Sequence, residues 1–173
     1  MELQEIYFWT NTINYWYELL ADDKFKLIII NQLQWLVERD KIRVYAFVIM
    51  PNHLHFLWEM LEMNGKEMPH ASFNKWTSSQ FLKCLRSSNP RKTKLFVEQT
   101  TERSHRFWQR DPLAVLMDSK EKVEQKIDYI HTNPLQEKWS LVEEPENYRW
   151  SSANFYETGE DEFGILEHYH DYF

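Results

Sequence analysis

Residues 48–58 read VIMPNHLHFLW, and this stretch decides the fold of the chain. Pro51-Asn52 is a turn signal between two apolar runs, so residues 43–50 and 53–60 are predicted to form an antiparallel β-hairpin. Side chains on a strand alternate between its two faces, which places His53 and His55 on one face and Leu54 on the other. The histidines therefore sit together at the start of the second strand.

Two imidazoles on one strand favour a metal site. Imidazole is the commonest protein ligand for divalent metals, and a pair on a rigid strand leaves coordination positions open for a third ligand, substrate and water. The alternative is a hydrogen-bonded pair on a half-buried strand, and for an arbitrary His-x-His it is the better interpretation. A second polar cluster, far downstream, reduces its weight here.

That cluster is the phrase DYIHTNP at residues 128–134. It closes a predicted helix that begins near Ser119, and Pro134 should end this helix at or just before Asn133. The apolar positions at helical spacing are Val123, Ile127 and Ile130. Tyr129 and Asn133 lie four residues apart and share one helix face. A phenol beside an amide suits attack on phosphorus next to a metal ligand, although Tyr129 could equally be a core aromatic among the nine tyrosines.

Together these phrases resemble the HUH single-tyrosine transposases of the REP-associated (IS200-like) type. The phrases are YAFVIMPNHLH at 45–55, FWQR at 107–110, DYIHTNPL at 128–135 and YRWSSA at 148–153, with YFWT at 7–10 as a looser match to the first strand. The resemblance covers residues 40 to 156. It implies an α+β fold, a ferredoxin-like antiparallel sheet with helices packed on it and the histidine strand central.

The resemblance also implies a chemistry. Tyr129 would be the catalytic nucleophile, and His53, His55 and Asn133 would hold a divalent metal, Mg²⁺ or Mn²⁺. The implied activity is metal-dependent nicking and rejoining of single-stranded DNA at hairpins through a 5′-phosphotyrosine. Two alternatives remain open: a non-catalytic, structure-specific DNA-binding module derived from such an enzyme, and a metal-dependent hydrolase that uses only the histidines.

Composition is consistent with this interpretation. A chain of 173 residues with 16% aromatic and 27% charged residues is expected to be a single globular domain, with a core over 5–156 and an acidic C-terminal extension over 157–173. The absence of a long apolar run or a basic leader predicts a cytoplasmic protein. The sequence leaves open whether it is a monomer or a homodimer. A lone Cys84 excludes an intrachain disulfide, and three glycines disfavour a dinucleotide-binding fold.

The charge distribution allows a DNA partner despite the net charge of −7. Between Asn74 and Arg110, nine lysines and arginines face two glutamates, whereas from Glu143 onward one arginine faces nine acidic residues. Aromatic rings interleave with the basic stretch, as a strand-binding surface requires, and Trp76 or Trp108 would stack on bases if exposed. The predicted DNA contacts are Lys75, Arg86, Arg91, Lys92, Lys94, Arg106, Arg110 and Trp108. A merely solvated helical face is the alternative.

The remaining elements follow from local patterns. Residues 5–14 should form a strand, and a helix should run from Asp22 or Asp23 to about Asp40. Two further helices are predicted over residues 71–85 and 91–101, separated by Ser87-Ser88-Asn89-Pro90. A last strand is predicted over residues 113–117.

Overall fold

The computed structural model describes residues 1–97 and 105–172. Its strands are β1 (Ile6–Thr12), β2 (Ile42–Ile49), β3 (His53–Met60) and β4 (Leu113–Leu116), and its α-helices are α1 (Asp23–Val37), α2 (Pro69–Ser88), α3 (Lys120–Thr132) and α4 (Ala153–Thr158). Short 3₁₀ helices cover Asn14–Trp16, Leu19–Ala21, Pro90–Phe96, Asn133–Leu135, Pro145–Asn147 and Tyr169–Asp171. No helix among the described residues has both the length and the apolar character that crossing a membrane requires.

The strands form one antiparallel sheet in the order β2-β3-β1-β4. This is the strand order of a ferredoxin-like fold, and it confirms the predicted α+β class with the histidine strand in the interior of the sheet. The hairpin at Pro51-Asn52 is also confirmed, because β2 and β3 pair on either side of it. A β3 residue therefore has a strand on each side to fix its position.

Helices cover both faces of the sheet. Asn11 of β1 donates to Asn74 of α2, and Trp9 of β1 packs against Phe73 of α2. Helix α2 therefore lies on the sheet face opposite to the one that carries His55, and α1 packs against α2 on that same face. The side chains of Phe8 and His55 instead contact Tyr129 of α3. Because residue parity along β1 and β3 assigns each side chain to one layer, the histidines and the tyrosine share a layer.

Local sequence explains where the helices begin and end. The Asp22 carboxylate accepts a hydrogen bond from the Lys24 backbone N–H and caps α1, which buries Phe25, Ile29 and Leu33. α3 ends at Thr132, immediately before Asn133 and Pro134, as predicted.

The predicted helix over residues 91–101 is not formed as such. The structure has a 3₁₀ helix at Pro90–Phe96 that ends with an extended Val97, and residues 98–101 lie outside the described part of the chain. Phe96 is buried and its ring stacks on Phe107 at 4.6 Å between centroids, so a tertiary contact sets the local conformation.

The acidic C-terminal segment packs along the outer edge of β2. The Glu167 backbone N–H donates to the Val44 carbonyl, Leu166 forms a bridge with Val44, and Ile165 and Tyr169 are buried in the core. The other edge of the sheet, β4, is exposed along its whole length. Residues within 157–173 therefore protect one sheet edge from pairing with another chain.

Candidate active site

The β2–β3 turn and strand β1 hold the two histidines in fixed orientations. Their ring centroids are 4.8 Å apart with the rings nearly perpendicular. His53 Nδ1 lies 2.7 Å from Asn52 Oδ1, and the same Asn52 amide donates through Nδ2 to the Trp16 carbonyl. That second bond fixes the amide orientation, so His53 Nδ1 must carry the proton and donate it. The lone pair of His53 is therefore on Nε2.

The neighbouring His55 ring is held by strand pairing. Thr10 lies opposite His55 in the β1–β3 register, and its Oγ1 is 2.8 Å from His55 Nδ1. The ring stacks on Phe8 at 5.2 Å between centroids. His55 Nε2 is buried and has no hydrogen-bond partner among the described residues. Buried polar atoms are nearly always bonded, so this nitrogen has the environment of a ligand atom rather than of a core histidine.

Burial keeps both imidazoles neutral. Desolvation lowers the pKa of His53 from 6.5 to about 4, and Lys138 adds to the decrease. Desolvation lowers the pKa of His55 to about 3, with smaller contributions from the charges of His53 and Lys126. Neutral imidazole is the form that binds a metal, so the pair is ready to coordinate at physiological pH.

Helix α3 brings Tyr129 and Asn133 to the histidines. The Tyr129 ring meets His55 edge to face at 5.2 Å between centroids and is 40% exposed, which leaves its hydroxyl accessible. Asn133 is only 1% exposed, and its Oδ1 has no hydrogen-bond partner in the part of the chain that the structure describes. Its amide raises the pKa of His53, which places it beside that ring, although the pair falls short of hydrogen-bond geometry.

His53, Tyr129 and Asn133 line one cleft of about 270 Å³, and His55 contacts the Tyr129 ring beside it. Its lining residues are Thr12, Trp16, Asn52, His53, Tyr129, Asn133, Gln136, Lys138 and Trp139. The ammonium of Lys126 lies nearby, 5.5 Å from the centre of the Tyr129 ring. A tyrosine, a histidine and an unpaired amide oxygen therefore meet at one opening in the surface, with a second histidine and a lysine ammonium beside the tyrosine.

The donor set fits a divalent cation. His53 and His55 each present an Nε2 with no hydrogen-bond partner among the described residues, and Asn133 presents an unpaired amide oxygen. Two nitrogens and one oxygen with open positions suit Mg²⁺ or Mn²⁺, the nitrogens favouring Mn²⁺. The described residues contain no group of three His, Cys, Asp or Glu side chains that could hold a metal, so a metal bound here would need the amide of Asn133 as its third ligand.

His131 does not belong to this set. Its Nε2 is 2.8 Å from Ser152 Oγ, and its ring packs against Tyr156 at 5.1 Å. Desolvation lowers the pKa of this histidine to about 4, as at the other two sites, but its ring nitrogen is satisfied by the protein. His131 therefore has a structural role in holding α3 against the segment that precedes α4.

The predicted basic residues lie on α2 and on the segments that follow it. Arg86 is in the last turn of α2. Arg91, Lys92 and Lys94 are on the 3₁₀ helix Pro90–Phe96, and all three are exposed. Lys75, Arg106 and Arg110 line a second groove of about 530 Å³ between α2 and residues 105–112. The Gln109 backbone N–H donates to the Thr12 carbonyl, so this groove approaches the end of β1 beside His53.

Trp108 was predicted to contact DNA, and the structure contradicts this role. The residue is 5% exposed, its indole donates through Nε1 to Thr77 Oγ1 at 2.9 Å, and its ring packs against Phe73 and Phe81. The indole is therefore too buried for a base to stack on it. By contrast, Trp76 is 38% exposed and is accessible to a base.

Sequence reasoning missed several residues that shape the site. Thr10 and Phe8 orient His55, and Lys126 lies over the Phe8 ring at 4.6 Å. Trp139 lies 5.9 Å from the His53 ring. The alternation of β1 identifies Phe8 and Thr10 as partners on one face, but only the strand register sets them opposite β3.

Comparison with solved structures identifies the fold. A REP-associated tyrosine transposase bound to a REP hairpin superposes with a TM-score of 0.61 at 17% identity, over 94% of this chain and 85% of that one. A protein described as a transposase from Deinococcus radiodurans R1 superposes with a TM-score of 0.45 at 13% identity, over 72% of this chain and 87% of that one. No protein-family model and no curated protein matches the sequence. The first superposition shows that this chain has the fold of that transposase.

Proposed function

We propose that this protein nicks and rejoins single-stranded DNA at hairpins through a covalent bond to Tyr129, as an HUH single-tyrosine transposase of the REP-associated type does. The observation that carries the proposal is the convergence of an exposed tyrosine on two buried atoms, His55 Nε2 and Asn133 Oδ1, that have no hydrogen-bond partner among the described residues. The four phrases that resemble this family supply these three residues in its order. The protein with the same fold is bound to a REP hairpin, which supports hairpin DNA as the substrate.

The proposed reaction is a transesterification. The Tyr129 oxygen attacks the phosphorus, the bond from phosphorus to the 3′-oxygen breaks, and the tyrosine becomes a 5′-phosphodiester. The proton lost by the phenol is matched by the one the departing 3′-oxygen gains. In the reverse direction a 3′-hydroxyl attacks the phosphotyrosine and the strand is resealed. The bond count is unchanged throughout, so no nucleotide hydrolysis is needed.

The site residues divide this work. His53, His55 and Asn133 would hold the divalent metal, which supplies charge stabilisation at the scissile phosphate and the leaving oxygen. Asn52 and Thr10 bond Nδ1 of the two imidazoles, which leaves Nε2 of each ring available to the metal. The ammonium of Lys126, close to the Tyr129 ring, is placed to offset the charge of a phosphate that enters the cleft.

The test is covalent trapping on denaturing gels. A hairpin oligonucleotide with single-stranded flanks, labelled at its 3′ end, should give a band that moves with the protein when Mn²⁺ is present. The same oligonucleotide labelled at its 5′ end should release a shorter free fragment, because the tyrosine keeps the 5′-phosphate side.

Two variants make the assignment specific. Tyr129→Phe should lose the covalent species and keep hairpin binding, whereas Tyr15→Phe, at another exposed tyrosine, should retain both. A covalent band that persists in Tyr129→Phe contradicts the assignment. Hairpin binding by the wild type without any covalent species, over a panel of flanking sequences, would favour the non-catalytic binding module instead.

A further inference from the structure

A further groove, distinct from the basic groove between α2 and residues 105–112, lies between α1 and α2 on the sheet face turned away from Tyr129. It encloses about 440 Å³ and is lined by Trp35 of α1 and Trp76 of α2 among others. These indoles are 36% and 38% exposed. Large exposed aromatic rings that face one groove mark a binding surface more often than they mark a packing defect.

The floor of this groove carries a side-chain amide with no protein partner among the described residues. Gln32 is 3% exposed and lines the groove, and its side chain makes no hydrogen bond within the part of the chain that the structure describes. Its neighbour Ser72 is also buried but donates to the Pro69 carbonyl at 2.9 Å. Because this amide opens into the groove, it can both donate a hydrogen bond to a ligand there and accept one from it.

Two cations flank the groove, and one carboxylate, Glu67, is part of its lining. Lys75 lines this groove and also the basic groove that contains Arg106 and Arg110, so the two surfaces meet along α2. Arg39 lies over the Trp35 ring at 4.2 Å, which adds a second cation at the α1 side. Lys75 pairs with Glu67 at 2.7 Å but its side chain is largely exposed, and such a surface pair is weak enough to exchange for a phosphate.

The chemistry of the groove selects one class of ligand. Indole rings stack on any nucleobase, and a glutamine amide can pair with a base edge through its oxygen and its nitrogen together. A fully paired stem hides its base faces and edges, so an unpaired base is required. Phosphates on either side of that base would lie near Lys75 and continue toward the basic groove.

We propose that the groove formed by Gln32, Trp35 and Trp76 binds one unpaired base of the DNA substrate, at a site separate from the one that cuts it. The proposal rests on the proposed function, since it assumes a hairpin or single-stranded DNA partner. Because the groove and Tyr129 are on opposite faces of the sheet, the contact selects and positions the DNA and takes no part in the chemical step.

The test couples a protein change to a DNA change. Hairpin oligonucleotides in which each unpaired nucleotide is replaced in turn by an abasic residue are titrated into wild type and variants, with fluorescence anisotropy as readout. Trp76→Ala should weaken binding about 5- to 150-fold. The abasic replacement that weakens wild type by a similar factor should have little further effect in this variant. Leu27→Ala, an exposed apolar residue of α1 that does not line the groove, should bind as wild type.

Gln32 gives an independent readout. Gln32→Leu preserves the size of a buried side chain and removes the amide, so it should reduce discrimination among the four bases at the coupled position more than it reduces overall affinity. Circular dichroism of each variant confirms folding. A hairpin that carries 5-iodouracil at that position should photocrosslink to a peptide containing Trp35 or Trp76.

The outcomes separate this proposal from the proposed function. If wild type cleaves the hairpin while the Trp35, Trp76 and Gln32 variants show wild-type binding to every oligonucleotide, the groove proposal is overturned and the catalytic one stands. Crosslinks confined to other surfaces overturn it as well. If the protein binds neither hairpin DNA nor single-stranded DNA, the proposed function and the groove proposal both fail.

Discussion

Acidification from about pH 7.5 to about pH 5.5 should leave Mn²⁺ binding by His53 and His55 almost unchanged. Burial lowers the pKa values of these imidazoles to about 4 and about 3, so both remain neutral across this range. An exposed pair with ordinary pKa values near 6.5 would have to lose a proton from each ring, and its apparent affinity would fall roughly 100-fold over the same interval. The two situations therefore differ by a large, measurable factor.

Thermal unfolding converts this factor into a temperature shift. Mn²⁺ at about 100 times its dissociation constant stabilises the folded state by about 2.7 kcal/mol. For a chain of this length each kcal/mol raises the melting temperature by roughly 2–4 °C, so the shift should be about 5–11 °C. If the affinity fell about 100-fold on acidification, the stabilisation would decrease to about 0.4 kcal/mol and the shift to about 1 °C.

The assay is differential scanning calorimetry with and without Mn²⁺ at each pH. The shift must be taken against the metal-free protein at the same pH. Lowered histidine pKa values mean that the unfolded state binds more protons between about pH 6.5 and the folded pKa values, so the metal-free protein itself loses stability as the pH falls. Titration calorimetry in buffers of different ionisation enthalpy should show no proton release.

Two variants define the controls for this experiment. Tyr129→Phe should keep the full Mn²⁺ shift, and His55→Ala should lose it. A shift that collapses at the lower pH, or that survives in His55→Ala, would refute the assignment of these buried imidazoles as ligands.

Three further predictions concern other parts of the molecule. Asn133→Leu removes a buried, unpaired amide oxygen, so it should raise the metal-free stability in urea by about 1 kcal/mol while abolishing the Mn²⁺ shift, and a lower stability would contradict this. Replacing Arg91, Lys92 and Lys94 with Ala should reduce the slope of log affinity for the hairpin against log salt by roughly 0.7–0.9 for each phosphate that these side chains neutralise, and an unchanged slope would remove them from the DNA surface. His131→Asn should make stability less dependent on pH between about 6.5 and 4, by up to roughly 1 kcal/mol per pH unit, because the buried neutral ring is what destabilises the wild type on acidification.

The parts of the site that the sequence predicted depend on short-range periodicity. Alternation along a strand places His53 and His55 on one face, and helical spacing joins Tyr129 to Asn133. Pro134 ends α3 where its ring geometry requires. Each of these inferences needs only a few consecutive residues, and each is reproduced in the structure.

The features that the sequence did not predict depend on contacts between distant segments. The position of Trp108 in a basic stretch predicts an aromatic ring that contacts nucleic acid. In the structure its indole instead donates a hydrogen bond to Thr77 of α2, which holds the ring in the core. Thr10 acquires its role only when β1 and β3 pair in one register. The helical pattern after Pro90 is overridden because Phe96 is needed in the core. No local rule contains this information.

Desolvation alone does not identify a ligand, and the three desolvated imidazoles, His53, His55 and His131, demonstrate why. All have pKa values lowered mainly by desolvation, yet His131 has a Ser152 partner and His55 has an unpaired Nε2. Unpaired buried atoms elsewhere in the described residues are indole donors or the isolated Asn11 oxygen, which face the other layer of the sheet. An unpaired buried polar atom costs about 1–3 kcal/mol, and within the described residues His55 Nε2 and Asn133 Oδ1 are the two that belong to side chains next to Tyr129. These unpaired atoms lower the stability of the folded protein at this site, and a bound cation would offset that loss by coordinating them.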